Sequence, residues 1–219
     1  MTALPTALPH LTPADVDAEL DRQIERLHDV GHLQHLGWSP AALAGQVDAL
    51  RAPLRENAAH LPPTSRERMP FVVVLPGLRP SHAITTQRLG SRPGVLSDDT
   101  ADIDDFAPVD GLEVPTVPYA VIDVRRGEEH LGRTPDEAMV DFASEGRSPL
   151  TIVEGLALLT ANPEALEKNH CFQTPGSRIG DRRVPGLWIS KRAPKLGFCW
   201  AGNRHSWLGI ASCARRVAP

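Results

Sequence analysis

A chain of 219 residues, 41% of them hydrophobic, can bury a core of one or two domains, and it contains no apolar run long enough to span a bilayer. Three cysteines, an odd number, argue against a disulfide framework and for a reducing compartment, with the cytoplasm as default for a soluble protein. The net charge of −4 conceals an asymmetry: from Lys168 onward ten basic side chains face one acid, Asp181, so the tail carries +9 and residues 1–167 carry −13.

The start, MTALPTALPHLTPADVDAEL, has neither a basic leader nor a continuous apolar segment, so no secretion signal is expected there. Helix starts are legible after it. A capping residue precedes proline five times, at Thr12-Pro13, Ser39-Pro40, Thr134-Pro135, Ser148-Pro149 and Asn162-Pro163. The cap side chain satisfies an orphan N–H, and proline at the first helical position gives up a donor that would be unpaired anyway. Glu137 completes a capping box with Thr134, while Thr151 with Glu154 offers a rival start one turn after Ser148.

The first helix is expected over about Pro13 to Asp29, with Val16, Leu20, Ile24 and Leu27 on one face. The second is expected over about Pro40 to Arg51, with Leu43, Val47 and Leu50, then Leu54. One-sided stripes must be buried, and an antiparallel helix pair is the economical solution. FVVVLP, Phe71 to Pro76, reads as a buried strand, and YAVIDV, Tyr119 to Val124, as a second. The stretch 77–118 between them has little periodicity and reads as a long loop, acidic from Asp98 to Asp110. Helices are expected again from Pro135 and Pro149. In the tail, GLWIS, KLGFCWA and SWLGIAS are strand-like runs. If AGNR, Ala201 to Arg204, centres a hairpin, Trp200 faces Trp207 across it, and Cys199 and Cys213 lie on opposite faces.

The tail motifs GRSPLTIVEGLALL, GSRIGDRRVPGLWISKRAPKLGFCWAGN and SWLGIASC resemble an uncharacterised actinobacterial protein family of unknown function. The resemblance covers most of the chain and is strongest from Gly146 to Cys213. It implies no catalytic roles.

Candidate sites follow from the residues alone. Cys171, Cys199, Cys213, His170 and His205 include no Cys-x-x-Cys knuckle, so zinc is disfavoured and no metal is expected. Cys171, near Lys168 and His170, and His205 are the candidates for catalysis, although the spacing carries no triad signature. TPGSRIGDRR, Thr174 to Arg183, combines glycines with arginine forks and could cradle a carboxylate or phosphate. There is no Walker A loop and no dinucleotide fingerprint. Arg178, Arg182, Arg183 and Lys191 are therefore expected to border an anion-accepting concavity with the SKRAPK turn.

These observations add up to an α+β fold with an N-terminal helix pair, a mixed middle and a small antiparallel sheet from the C-terminal third. A single compact domain over 1–219 is expected, helical at 12–56, mixed at 70–168 and strand-rich and basic at 169–219. The expected function is binding of a small anionic molecule or an acidic protein surface by the basic tail. A small-molecule enzyme using Cys171 or His205 and a structural or assembly protein are the alternatives. A dedicated nucleic-acid binder is usually basic throughout, so nucleic acid is disfavoured. No membrane partner is expected.

Overall fold

The computed structural model describes residues 10–219, so the first nine residues, with most of the leader reading, lie outside the described residues. Thr12 opens helix α1, Pro13–Asp29, with a full capping box: its hydroxyl accepts from the Asp15 N–H and the Asp15 carboxylate accepts from the Thr12 N–H. A five-residue helix, α2 at His32–Leu36, sits between Gly31 and Gly37, both left-handed. Helix α3, Pro40–Glu56, runs beyond the expected end at Arg51 and through Pro53, because Leu54 belongs to the same buried stripe as Leu43, Val47 and Leu50. Arg55 of α3 holds Asp17 of α1 at 2.6 Å, and Arg51 reaches Asp17 and Asp21.

The helix pair packs on a five-stranded antiparallel sheet. Strand Arg68–Val74 pairs with Tyr119–Arg125. The latter pairs on its other side with Ser212–Cys213 and Arg215–Val217, and Ser148–Pro149 lies outside Ser212–Cys213. Both faces of the FVVVLP strand are buried. Phe71, Val73 and Leu75 face the helix pair, and Val72 and Val74 face a second core built around α6, Ile152–Ala161. This explains the continuous apolar run. Gln23 of α1, 2% exposed, covers the open edge of that strand. Its amide donates to the Phe71 carbonyl and accepts from the Val73 N–H, leaving those groups unavailable for strand addition.

The second sheet is mixed. Its order is Leu208–Ile210, Cys171–Gln173, Arg183–Ser190, Ala193–Trp200, then Val95–Leu96, with the two outer pairings parallel. Ala211 alone carries the chain from this sheet into the first.

The AGNR hairpin does not form. Arg183–Ser190 and Val95–Leu96 occupy the two sides of Ala193–Trp200, and the segment after AGNR pairs in parallel with Cys171–Gln173 instead. Trp200 and Trp207 are therefore not cross-strand partners, and Trp200 is 50% exposed. Cys199 and Cys213 lie in different sheets. Ser148-Pro149 is strand, and the rival start at Thr151 begins α6, with its capping box complete. Asn162-Pro163 opens a short 3-10 turn.

The expected loop at 77–118 contains helix α4, Pro80–Thr86, contributes the Val95–Leu96 strand, and buries Ile103 and Phe106. Helix α5, Pro135–Glu145, starts at Thr134 as expected. The structure is α+β, and no helix among the described residues is long and apolar enough to cross a membrane.

Candidate site: a basic concavity between two tight turns

The site grows from the long hairpin of the second sheet. Ser190 pairs with Ala193, so Lys191 and Arg192 form a two-residue loop. Their φ angles are 50° and 64°, as a type I′ connection demands at both central residues. Asn-Gly is the usual solution. A side chain in that region costs about 1–2 kcal/mol per residue, so Lys and Arg hold this turn under strain.

A second tight turn lies across from it. The backbone groups of Glu167 and His170 bond each other reciprocally at 3.0 and 2.9 Å, which leaves Lys168 and Asn169 as the loop. Asn169 is also left-handed, at φ 66°. Among the described residues four non-glycine positions have positive φ, namely Asp123, Asn169, Lys191 and Arg192. The last three border one concavity.

That concavity has a volume of about 560 Å³, with Cys171, Ile189 and Trp207 joining Lys168, Asn169, Lys191 and Arg192 in its lining. A second lobe of about 540 Å³ shares Lys168, Ile189 and Arg192 with it and adds Arg66, Arg88, Leu89 and Leu166 together with the carboxylates Glu164 and Glu167. Arg66 is paired with Glu164 at 3.4 Å and Glu167 at 3.2 Å. Lys168, Lys191, Arg192 and Arg88 make no ion pair among the described residues, although the chain has more acids than bases. Acids elsewhere are heavily engaged: Asp123 alone takes Arg68 and Arg147 at 2.5 and 2.8 Å.

The sequence-derived site residues are dispersed. Arg183 places its fork on Asp102 at 2.6 and 3.0 Å and its Nε on Asp181 at 2.7 Å, and the guanidinium lies 4.8 Å from the centre of the Phe198 ring. Arg182 is exposed and pairs with Asp136 at 3.2 Å. Arg178 turns back onto the carbonyls of Pro175 and Ser177, and lines a separate concavity with Asp105 and Asp110. Lys191 alone of the four belongs to the basic concavity. Arg183 and Ser190 end the same strand, and seven residues at about 3.3 Å each separate them by roughly 23 Å. The GSRIGDRR loop and the SKRAPK turn therefore sit at opposite ends of one hairpin and share no pocket.

Cys171 lies on the floor of the basic concavity, 3% exposed. Its thiol donates to the Glu167 carbonyl at 3.4 Å, and burial pushes its pKa above the usual thiol range. His205 packs its ring edge-to-face against Trp207, with centroids 5.6 Å apart, and burial lowers its pKa. Among the described residues its Nε2 has no hydrogen-bond partner, and no hydrogen bond joins it to Cys171. The Cys171 N–H donates to the carbonyl of Trp207, two residues after His205, at 3.0 Å. His170 turns its Nδ1 to Glu128 at 2.6 Å, away from any shared thiol role. Among the described residues no three His, Cys, Asp or Glu side chains group so as to hold a metal ion.

Sequence reasoning did not place Lys168, Arg88 or Arg192 in the site; Trp207, partly buried against the main core, also lines the concavity. The available signal was the pair of short polar breaks, EKNH and SKRA, each flanked by apolar residues.

No curated protein and no solved structure matches the chain. A family model described as a family of unknown function (DUF5701) matches residues 26–219. The chain, so matched over most of its length, belongs to that family.

Proposed function

We propose that the protein binds a small anionic ligand in the concavity between the Lys168–Asn169 and Lys191–Arg192 turns. The observation that carries this reading is the convergence of strain and unpaired charge. Three of the four left-handed non-glycine residues border one cavity, and Lys168, Lys191 and Arg192 reach it without a carboxylate partner. Strained backbone persists where the surroundings enforce it and is concentrated at ligand sites. Like charges gathered at one cavity repel each other unless an anion neutralises them.

A cavity of this volume suits a small molecule better than a flat acidic protein surface. The catalytic alternative has less support. A thiol nucleophile needs a lowered pKa and a base within reach, whereas burial raises that of Cys171 and its hydrogen bond goes to a carbonyl. The three free cysteines fit a reducing compartment such as the cytoplasm.

Calorimetric titration with pyrophosphate and with citrate tests the reading. Binding is expected in the native protein and is expected to be lost in Lys168→Gln/Arg192→Gln. Arg182→Gln, at the other end of the hairpin, is expected to leave binding unchanged. Equal losses in both variants, or no binding of either anion, would overturn it.

A further inference from the structure

We infer that the ligand is a nucleoside phosphate, with its base on Trp207 and its phosphates at the wall formed by Lys168 and Arg192; this rests on the anion-binding reading above. Three features of the cavity lead to this class.

The first is size. The two lobes, about 560 and 540 Å³, meet at Lys168, Ile189 and Arg192. A lone phosphate would occupy a small fraction of either lobe, whereas volumes of several hundred Å³ match small organic ligands.

The second is the division of chemistry along the cavity. Trp207 and Cys171 line the first lobe only and supply apolar surface there, while Lys168 and Arg192 stand where the two lobes meet and supply charge together with Lys191. The Trp207 indole is braced for stacking. The His205 ring packs edge-to-face against it, and the Cys171 N–H holds its backbone carbonyl. A planar ring system is the ligand group that gains most from an indole surface.

The third is the kind of charge present. No carboxylate lines the Trp207 lobe, and the two of the second lobe, Glu164 and Glu167, are paired with Arg66, which disfavours amino acids and amines. Lysines act as point charges for phosphate oxygens, and Arg192 can add a planar fork. A molecule with a flat ring at one end and two or more negative charges at the other satisfies all three features. Such a site needs no glycine-rich loop, because exposed cations take the place of loop N–H groups.

Equilibrium dialysis with five probes decides the matter. AMP and ribose 5-phosphate carry the same phosphate and differ in the base, so their ratio isolates stacking. AMP is expected to bind about tenfold more tightly or better. ADP is expected to bind more tightly than AMP, and both are expected to weaken steeply in Lys168→Gln/Arg192→Gln. Trp207→Leu is expected to remove the advantage of AMP over ribose 5-phosphate, and Trp207→Phe to retain most of it. Equal binding of AMP and ribose 5-phosphate by the native protein would overturn the nucleotide assignment while leaving an anion site. That comparison needs no folded variant. Failure of all phosphate probes, pyrophosphate included, would remove the anion site as well. A single-stranded oligonucleotide whose affinity grows with length and exceeds that of ADP would overturn the proposal in favour of nucleic acid.

Discussion

Glu154, with no exposed surface, holds Arg216 in a two-point ion pair, Oε1 to Nε at 2.6 Å and Oε2 to Nη2 at 2.7 Å. The same carboxylate accepts from the Tyr119 hydroxyl at 2.9 Å and from the Thr151 N–H at 2.7 Å. Burial, and then the neighbouring Glu154, push the Tyr119 pKa far up, so the phenol remains a donor. Arg216 also donates to the Ser148 hydroxyl and the Pro149 carbonyl. One carboxylate thus caps α6 and locks the last strand to the first sheet.

Removing one partner of such a pair leaves an uncompensated buried charge, at a cost of about 3–5 kcal/mol. Arg216→Met is therefore expected to lower the unfolding free energy by that amount in urea melts. The double variant Glu154→Leu/Arg216→Met is expected to cost less than the sum of the single changes. A single-variant loss under about 1 kcal/mol would mean that the pair is solvated.

The Lys191–Arg192 turn predicts a trade between stability and binding. Lys191→Asn/Arg192→Gly installs the residues that accept left-handed φ, and is expected to raise stability by about 1–2 kcal/mol. The same change removes two cations from the cavity, so anion affinity is expected to fall. Thermal melts and calorimetry on one preparation check both effects. A variant that is less stable would show that the turn is unstrained.

His32 predicts acid sensitivity above the carboxylate range. It is 1% exposed, with His82 and His35 beside it, and burial followed by those neighbours lowers its pKa to about 4. His35 and His82 stack with ring centroids 3.6 Å apart. Because the folded pKa lies below the unfolded value of about 6.5, the unfolded state binds more protons between them. Stability is fully present above about pH 6.5 and is lost as pH falls towards 4. Between pH 7 and 5.5 the His32 contribution is a loss of about 1 kcal/mol. Urea melts at the two pH values are expected to differ by at least that amount in the native protein and by less in His32→Phe. Identical pH dependence in both would exclude His32 as the source.

Trp200 is half exposed and packs edge-to-face on Phe198, with centroids 6.0 Å apart. Trp200→Ala is expected to cost less than about 1 kcal/mol, far below the 3–5 kcal/mol of a buried tryptophan. A larger loss in denaturant melts would show that the ring is covered.

The parts of this fold legible in the sequence are those whose partners lie within one helical turn. Thr12 caps α1, Thr134 with Glu137 and Thr151 with Glu154 form their capping boxes as written, and the stripe from Leu43 to Leu54 is buried throughout. Even here a local tie needed the tertiary structure. Ser148 and Thr151 are both competent caps, and Ser148-Pro149 became strand because its backbone pairs with Ser212–Cys213.

Of the candidate site, the basic tail and Lys191 were legible in the sequence. Which cations remain unpaired was settled by contacts between residues far apart in the chain. Arg183 meets Asp102 across 81 positions, while Arg88 comes to lie beside Lys168 and Arg192 in the wall of one cavity.

The sequence by itself determined α1, α3, α5 and the body of α6, the buried strand and the charge asymmetry, because capping, periodicity and composition act over a few bonds or over none. Only the tertiary structure decided that the segment after AGNR runs parallel to Cys171–Gln173, and that two strained turns face a common cavity. Strand alternation tells which face a side chain takes. It does not tell which edge its backbone will meet, and on that choice rests which arginines find carboxylates and which stay unpaired.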